Sequence, residues 1–433
     1  MEYLKSAATR STPAAKFPTE IVRGMLEEIH TGGEDRVRGY ARDLDGWDGD
    51  IVLTPNAIAV AKGRVSQQLK DDIRYAHDNI SRFARVQLDS CRDTEIEIQP
   101  GLIAGQRLIP MDSAGCYVPG GRYSHIASAI MTVTTAKTAG VRFISACSPT
   151  REGGIPPEII YTLDYCGADR ILALGGVQGI AALAQGLFGT VPADILVGPG
   201  NQFVAEAKRL LFGHIGIDMV AGSTDSMILA DASADPHFVA WDLVGQAEHG
   251  HNSPVWLATD HAPLAREVLS LVPVYIDKLP PLNRKNARLA WEEYGEVILC
   301  TDREEMAACA DRKAPEHLHV QADDLDWWLD RLRAYGSLFL GAETTVAFGD
   351  KASGPNHVLP TSGAARYTGG LSVLKFLKMV TWQKAEPSAI RDLAQVTARI
   401  SRHEGMEGHA RTADIRLEKY FPNEDFDLGA GPT

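Results

Sequence analysis

Apolar residues in the first hundred positions of the chain recur at helical intervals. Side chains that are about three to four residues apart share one face of a helix. The segment from Asn56 to Gln87 shows this spacing, and so does an earlier segment, Phe17 to Leu44, in its residues Ile21, Met25, Ile29, Val37 and Tyr40. The pattern predicts a mainly helical region over residues 1–100.

Beyond about Gly101 the pattern changes to short apolar runs, which are separated by glycine turns and helical stretches. This alternation is typical of α/β proteins, in which helices cover mostly parallel sheets. We therefore expect a Rossmann-like α/β fold with mostly parallel sheets, a helical N-terminal lead-in and a small helical C-terminal arm. The runs that predict strands are LIAGQRLIP, VRFISAC, RILAL, DILVG and PVWLAT.

Two glycine loops each follow a predicted strand and precede a predicted helix, namely Gly175-Gly176 and Gly198-Pro199-Gly200. Such loops let a backbone approach a phosphate, but they are also common as simple strand-to-helix turns, and neither matches the GxGxxG fingerprint. A third glycine segment begins with Tyr117, which either lies against a nucleotide base or packs in the core. These loops alone do not decide between binding and structure.

Composition and charge exclude several classes of protein. The chain has 433 residues, of which 45% are hydrophobic, with a formal net charge of −13 and a pI near 5.5, which argues against nucleic-acid binding. No apolar stretch reaches the ~18 residues of a membrane span, and the N-terminal segment lacks the apolar core of a signal peptide. The six cysteines are scattered and include no CxxC pair. We therefore expect a cytoplasmic protein.

A possible metal-ligand set stands in polar, glycine-bracketed segments that are far apart in sequence. Neutral nitrogen and oxygen donors with one carboxylate suit a catalytic zinc ion, whereas structural zinc sites usually rely on thiolates. Taken singly, each residue is also an ordinary surface or capping residue. The candidate ligands are Gln246 and His249, placed on one face of a predicted helix from Pro236 to His249, together with Asp350 and His409.

The second chemical candidate is the adjacent pair Glu316 and His317 in KAPEHLHV. Pro315 disfavours a helix at the residue before it, so we expect the pair on a loop or strand edge. A histidine takes a proton near neutral pH, and an adjacent carboxylate can orient a water molecule. The alternative is a solvated surface pair.

Nine sequence blocks, taken in order, resemble the histidinol dehydrogenase family over nearly the whole chain. They are YVPGG, LGGVQ, VGPGN with the following AEAKR, GIDMVAG, GQAEHG, APEHL, SLFLG, SGPNHVLPT and EGMEGHA. The resemblance implies an NAD-dependent homodimer with one zinc ion per subunit. It also implies oxidation of a small primary alcohol through the aldehyde to the carboxylate, with two NAD consumed per turnover.

The resemblance also implies roles for individual residues. The zinc ligands become Gln246, His249, Asp350 and His409, and the acid–base pair becomes Glu316 and His317. The positions that contact NAD become Tyr117, Gln178 and Asn201, and those that contact substrate include His317, His357 and Glu404. Family architecture implies intertwined subunits, with the segment that carries Glu404 and His409 reaching the partner's active site.

Four segments follow from this assignment, with a helical region first. They are residues 1–100, the helical lead-in; 101–235, a Rossmann-like NAD-binding domain; 236–380, a second α/β domain with the zinc and acid–base residues; and 381–433, a helical arm. Within the second α/β domain, we expect His317 to accept the proton in the first oxidation. We expect Glu316 to activate water in the second.

Departures from the family pattern concern the substrate. Thr224 keeps a hydroxyl where amine-binding members carry serine, but the carboxylate that follows it is one methylene shorter. Arg122 and His125 in the loop after PGG, and Lys351 after Asp350, add cationic groups that favour an anion, unless they are solvated surface residues. These features resemble a catabolic branch of the family that oxidises 2,3-dihydroxypropane-1-sulfonate to 3-sulfolactate.

Three hypotheses follow for the function of the chain. The first is this zinc- and NAD-dependent oxidation of the sulfonate diol. The second keeps the enzyme and makes L-histidinol the substrate, which would be oxidised to L-histidine; the presence of Glu404 and His357 supports it. The third is a zinc hydrolase or a catalytically silent binding dimer.

Overall fold

The computed structural model describes residues 1–8, 18–120, 125–151, 153–220 and 222–429. The α-helices in these ranges are α1 (Thr19–Asp45), α2 (Pro55–Arg64), α3 (Gln67–Asp89), α4 (Ile126–Ala139), α5 (Pro157–Cys166), α6 (Gly176–Gln185), α7 (Gln202–Leu211), α8 (Pro236–Ala247), α9 (Ala262–Asp277), α10 (Pro281–Tyr294), α11 (Arg303–Lys313), α12 (Leu325–Arg331), α13 (Val346–Lys351), α14 (Ile390–His403) and α15 (Glu407–Tyr420).

The β-strands in the same ranges form separate sheets. They are β1 (Glu2–Lys5), β2 (Thr94–Gln99), β3 (Leu102–Pro110), β4 (Ser113–Tyr117), β5 (Phe143–Ser148), β6 (Arg170–Ala173), β7 (Ile195–Val197), β8 (Gly216–Ile217), β9 (Ser226–Ala230), β10 (Val255–Thr259), β11 (Glu296–Leu299), β12 (His317–Gln321), β13 (Ser337–Leu340) and β14 (Leu377–Ala385).

Contacts divide the chain into two compact units. The first unit comprises residues 1–88 and 110–376, and the second comprises residues 89–109 and 377–433. Each unit is therefore built from segments that are distant in sequence. The four-segment division expected from the sequence stays a prediction.

The N-terminal region is mainly helical, as its apolar spacing predicts. Helix α1 buries Val22, Ile29 and Val37, and it packs against α6 and α7. Helix α3 buries Ile73 and Ile80. The apolar face of each helix is thus its buried face, as expected for an amphipathic helix.

The first parallel sheet has the strand order β6-β5-β4-β7-β8, and every pairing that joins these strands is parallel. Strands β4 and β7 are buried along their whole length. Burial of both faces explains why such strands are nearly continuous apolar runs. The loops after β6 and β7 carry Gly175-Gly176 and Gly198–Gly200, so both glycine loops lie at the carboxyl edge of this sheet.

The second sheet has the order β1-β11-β10-β9-β12-β13. Its pairings are parallel except at its edge, where β1 pairs antiparallel with β11. Strand β12 lies between β9 and β13, with His317 opposite Ser226 and Ser337. The expected α/β class with mostly parallel sheets is therefore confirmed.

The second unit contains a small sheet of order β14-β3-β2 and the helices α14 and α15. One of the predicted strands of the α/β region, LIAGQRLIP, is β3 and lies here, paired antiparallel with β2. The reason is local: a tight turn at Gly101, with φ of 80°, folds β3 back on β2 before any helix can intervene. Helices α14 and α15 pack through Ala394, Ala398, Ala410, Ala413 and Leu417.

None of the helices in the described ranges combines the length and the apolar character that a membrane crossing requires.

Candidate active site

The acid–base pair lies at the amino end of a central strand. Glu316 precedes β12 and His317 begins it, and both are buried, with 6% and 3% of their surface exposed. The solvated surface pair considered from the sequence is therefore wrong, because β12 is covered by neighbouring strands and helices. Side chains at this position face the interior rather than water.

Asp225 holds the pair in place, and the sequence analysis gave it no such role. Its carboxylate accepts hydrogen bonds from the backbone N–H of Glu316 at 2.7 Å and from that of Ser362 at 2.8 Å. In return, the N–H of Asp225 donates to the Glu316 carboxylate at 3.3 Å, and the N–H of His317 donates to the Asp225 carbonyl. A carboxylate immediately before the apolar run of β9 was the available signal. We call Asp225, Glu316 and His317 the acid–base edge.

Asp350 lies between two histidines. Its carboxylate oxygens are 3.5 Å from Nε2 of His317 and 3.7 Å from Nε2 of His249. Nδ1 of His317 is 3.7 Å from a carboxylate oxygen of Glu316. Neither ring nitrogen of His317 has a hydrogen-bond partner among the described residues. The histidine at the centre of this group can therefore take up a proton.

Gln246 lies in the last turn of α8, the helix that approaches this edge. Helix α8 follows β9 and leads to the parallel strand β10, so its C-terminal end returns to the amino edge of the sheet. It ends at Ala247 rather than at His249, and the N–H of His249 donates to the carbonyl of Gln246 in the turn that follows. Gln246 is buried, and within the described ranges its amide oxygen has no hydrogen-bond partner.

These donors fit a zinc ion, although the first unit holds only part of the predicted set. Gln246 offers an orphaned amide oxygen, His249 an exposed imidazole, and Asp350 a carboxylate within reach of it. His409 is on α15 in the second unit. In the part of the chain that the structure describes, no group of three or more His, Cys, Asp or Glu side chains could by itself hold a metal ion.

Burial and neighbouring charges shift the pKa values of Glu316, His317 and Asp350. Burial raises the pKa of Glu316, and the carboxylates of Asp225 and Asp350 add to this, while His317 opposes it. Burial lowers the pKa of His317, but the two carboxylates beside it raise it by more. Burial raises the pKa of Asp350, but the neighbouring histidines, His317 first, bring it below its usual range. Glu316 and His317 are therefore stronger bases than in water.

Further histidine and lysine side chains lie beside Asp350. His357 has Nδ1 2.8 Å from the carbonyl of Asp350, to which it donates, and Nε2 3.1 Å from the hydroxyl of Ser128. Burial, and then the positive charges of His357, Lys351 and His249, lower the pKa of His125 to about 4. Burial lowers the pKa of His357 as well, so both histidines are mainly neutral at pH 7.

The remaining predicted substrate residues are more scattered. Thr224 is half-buried and stands just before Asp225. Glu404 is exposed and follows α14 in the second unit. Arg122 lies outside the described residues.

The predicted NAD residues surround the glycine loops at the carboxyl edge of the first sheet. Tyr117 is buried in the core, and its hydroxyl accepts a hydrogen bond from the N–H of Gly176 at 3.2 Å. Gln178 donates to the carboxylate of Asp45 at 2.8 Å. Asn201 is exposed and caps α7 by accepting from two backbone N–H groups. Tyr117 is therefore packed in the core, which was one of the two alternatives left open by the sequence.

The second glycine loop is closed by a buried ion pair. The N–H of Gly198 donates to Asp218 at 2.7 Å, and Lys208 bridges the Asp218 carboxylate and the Gly198 carbonyl. Gly198 has φ of 116°, and a Cβ atom there would lie 2.0 Å from the carbonyl oxygen of Tyr117, so only glycine fits. We call Tyr117, Gly176, Gln178 and Gly198 the glycine-loop edge. Gln178 keeps a buried amide oxygen without a partner in the described ranges, which suits a hydroxyl or amide donor of NAD.

Comparisons with known proteins agree with this architecture. The family model of histidinol dehydrogenase matches residues 8–417. The chain is 62% identical over 431 residues to a sulfopropanediol 3-dehydrogenase of Ruegeria pomeroyi, covering 99% of each chain. It is 65% identical over 420 residues to a histidinol dehydrogenase homolog of the same organism, covering 97% of each. A crystal structure of histidinol dehydrogenase from Elizabethkingia anophelis superimposes with a TM-score of 0.90 at 31% identity, over 95% of each chain.

The chain therefore belongs to the histidinol dehydrogenase family. It is an NAD-dependent oxidoreductase that acts on an alcohol through the aldehyde. The zinc hydrolase and the silent binding dimer are set aside by this assignment. A small-molecule alcohol is accordingly its substrate.

Proposed function

We propose that the protein oxidises 2,3-dihydroxypropane-1-sulfonate through the aldehyde to 3-sulfolactate, using zinc and two NAD per turnover. The observation that carries this proposal is the set of basic side chains beside Asp350, namely His125, Lys351 and His357, of which His357 donates to the Asp350 carbonyl at 2.8 Å. A sulfonate needs such groups, because an ammonium group and the ring N–H groups of histidines donate hydrogen bonds to oxyanions. The likeness to a sulfopropanediol 3-dehydrogenase over 99% of the chain supports the same substrate.

In this proposal one zinc ion per subunit is held by Gln246, His249 and Asp350 together with the partner's His409. Zinc supplies a Lewis acid that polarises the substrate oxygen, and NAD accepts the hydride in both oxidations. The orphaned amide oxygen of Gln246 and the 3.7 Å approach of His249 to Asp350 support the assignment. The NAD contacts proposed from the family pattern are Tyr117, Gln178 and Asn201.

His317 acts in the first oxidation as the general base. Its ring nitrogens are buried and have no hydrogen-bond partner in the described part of the chain, so one of them can accept the proton of the primary hydroxyl. Loss of this proton from the hydroxyl, and transfer of a hydride to NAD from the carbon that bears the hydroxyl, leave the aldehyde.

Glu316 acts in the second oxidation. As a water oxygen adds to the aldehyde carbon, the Glu316 carboxylate accepts a proton from that water, and Asp225 keeps the carboxylate in position through the backbone. A second hydride transfer from the hydrated carbon gives the carboxylate. One alcohol and one water thus yield one carboxylate, two NADH and three protons.

Substrate contacts in this proposal come from several elements. Thr224 and His357 contact the polar part of the diol, and Arg122 and His125 contact the sulfonate, with His317 at the reacting carbon. Glu404 reaches the same site from the partner subunit.

Steady-state NADH formation with the purified protein tests the substrate. We expect a kcat/KM for the sulfonate diol at least about 100-fold above that for L-histidinol, because the unmatched charges of the wrong substrate remain desolvated and unpaired. Two NADH should form per diol, and 3-sulfolactate should be the product. Faster turnover of L-histidinol, or a single NADH per diol, would contradict the proposal.

L-Histidinol remains the second candidate for a specific reason. The relative that is 65% identical is called a histidinol dehydrogenase homolog, so high similarity alone does not select the diol. His357 and Glu404 stand at the positions that contact substrate in the family pattern. The same assay, run with both alcohols, separates the two.

We also propose that the active site is completed by a second copy of the chain. Mixed dimers test this: one protomer carries His317→Asn and the other carries His409→Ala. Each variant alone should be inactive, whereas a 1:1 mixture, after exchange of subunits, should regain about a quarter of the wild-type activity, because half of the dimers hold one intact site of two. No regain of activity on exchange would show that each site is built from one chain.

A further inference from the structure

A cluster of buried and half-buried polar side chains lies on the elements that carry the proposed metal ligands, and it has no role in the reaction described above. Successive side chains of a strand point to opposite faces, so His317, His319 and Gln321 share one face of β12. His319 and Gln321 are buried, with 0% and 1% of their surface exposed. With Asp242 on α8 and Thr345 before α13 they form what we call the polar cluster.

Asp242 is the centre of the polar cluster. One of its carboxylate oxygens accepts a hydrogen bond from the hydroxyl of Thr345 at 2.8 Å. The other accepts from the side-chain amide of Gln321 at 2.7 Å and lies 3.4 Å from Nδ1 of His319. Through its two oxygens the carboxylate thus joins β12 and the start of α13 to its own helix, α8.

His319 extends the cluster to the loop before α13. Its Nε2 is 2.9 Å from the carbonyl oxygen of Gly341, at the end of β13. Because a carbonyl only accepts hydrogen bonds, Nε2 carries the proton and donates it. The start of the segment that leads to Asp350 is therefore tied to the same strand as His317.

Thr345 shows that this arrangement is specific. It occupies the N-cap position of α13, where a threonine hydroxyl usually accepts a hydrogen bond from the first turn of the helix. Here the side chain makes no capping bond, and the hydroxyl is turned to Asp242. The helix that carries Asp350 is thus attached to α8 instead of being capped.

Each member of the polar cluster is close in sequence to a residue of the proposed site. Asp242 lies one helical turn before Gln246 on α8, so both face the same side. His319 lies two positions after His317 on β12, and Thr345 starts the short helix that contains Asp350. The cluster therefore joins α8, β12 and the start of α13, the three elements that carry Gln246, His317 and Asp350.

We propose that Asp242, together with His319, Gln321 and Thr345, is a positioning group for the metal centre. It locks α8 and α13 against β12, so that Gln246 and Asp350 are held at the spacing that one divalent cation requires. The inference rests on the zinc centre of the proposed function. Groups that orient metal ligands in this way contribute to metal affinity as well as to geometry.

Zinc affinity, measured by competition with a chromophoric chelator on the full-length protein, tests the proposal. We expect Asp242→Ala to raise the dissociation constant of zinc about 10- to 100-fold. Asp311→Ala is the matched control, because Asp311 is a similarly half-buried carboxylate of the same unit that accepts from Arg331, Arg333 and Ala334. It should lose comparable stability without zinc and keep its zinc affinity within about threefold.

A second pair of variants separates positioning from folding. Thr345→Ser keeps the hydroxyl and should leave zinc affinity within about threefold, whereas Thr345→Val removes it and should weaken zinc binding about tenfold. With cobalt in place of zinc, the visible d–d absorption should shift in Thr345→Val and not in Thr345→Ser, because that spectrum reports ligand geometry.

Each outcome decides the matter. Weaker zinc binding in Asp242→Ala and Thr345→Val, but not in their controls, supports the positioning role. Wild-type zinc affinity in both variants overturns it and leaves the proposed zinc centre intact. A wild-type protein that binds no zinc overturns the centre and this inference together.

Discussion

The glycine-loop edge and the acid–base edge of the first unit differ in whether their polar groups already have hydrogen-bond partners. At the glycine-loop edge the backbone N–H groups of Gly176 and Gly198 already donate to protein oxygens. At the acid–base edge the ring nitrogens of His317 are buried without hydrogen-bond partners in the described ranges, and so is the amide oxygen of Gln246 in the last turn of α8. An unpartnered buried polar group costs about 1–3 kcal/mol.

This difference suggests a mainly structural role for the glycine-loop edge and a chemical role for the acid–base edge. The first edge is closed by the protein's own hydrogen bonds, and it leaves mainly the amide oxygen of Gln178 for a cofactor. The second keeps several donors and acceptors unsatisfied, which a substrate and a metal ion can satisfy. Substitutions at the two edges should therefore fail in different ways.

The largest effect is expected at the acid–base edge. His317→Asn removes the base and should lower the rate of alcohol oxidation by about 10²–10⁴-fold, with a smaller effect on the aldehyde step. Glu316→Gln should mainly slow conversion of the aldehyde, because the water then lacks its base. NADH formation in single turnovers, started from the alcohol or from the aldehyde, measures the two steps separately. Equal losses in both steps for both variants would remove the proposed division of roles.

An intermediate effect is expected beside Asp350. Lys351→Gln removes the ammonium group from the set that we propose to contact the substrate, and we expect KM for the sulfonate diol to rise about tenfold with kcat nearly unchanged. Lys285→Gln is the control, since Lys285 is exposed on α10 and has no part in the site. A KM that is the same in both variants would place Lys351 in solvent.

The smallest effect is expected at the glycine-loop edge. Tyr117→Phe removes only the hydroxyl that accepts from Gly176, and the free energy of unfolding should fall by about 1 kcal/mol. Urea unfolding measures this change, and kcat should stay within about twofold of the wild type. A large fall in kcat at unchanged stability would show that this edge takes part in the chemistry, contrary to the comparison.

The sequence predicted the fold class and most of the helical lead-in, because these follow from local apolar spacing. The run LIAGQRLIP is a strand, as predicted, but it pairs antiparallel with β2 and joins no parallel sheet. Strand β2 alternates isoleucine with glutamate and is almost fully exposed, and it was not predicted as a strand. The end of α8 was also placed too late, since nothing local marks the turn at Glu248.

The candidate site residues could be identified from the ordered sequence blocks. The residues that hold them in place could not. Asp225 and Glu316 are far apart in the chain and meet only because β9 pairs with β12. Asp242, His319 and Thr345 likewise come from three elements that share no local pattern. Long-range strand pairing and helix packing decide such contacts, and a single sequence does not display them.

The central place of β12 has a consequence for how such enzymes diversify. The groups that we propose to transfer protons are anchored in the interior of a sheet, where few replacements are tolerated. His125 immediately precedes α4 and Lys351 is the last residue of α13, and at helix ends exchange of one side chain disturbs little. Substitutions at such helix ends can thus change the substrate that an enzyme of this family accepts, while the reaction stays the same.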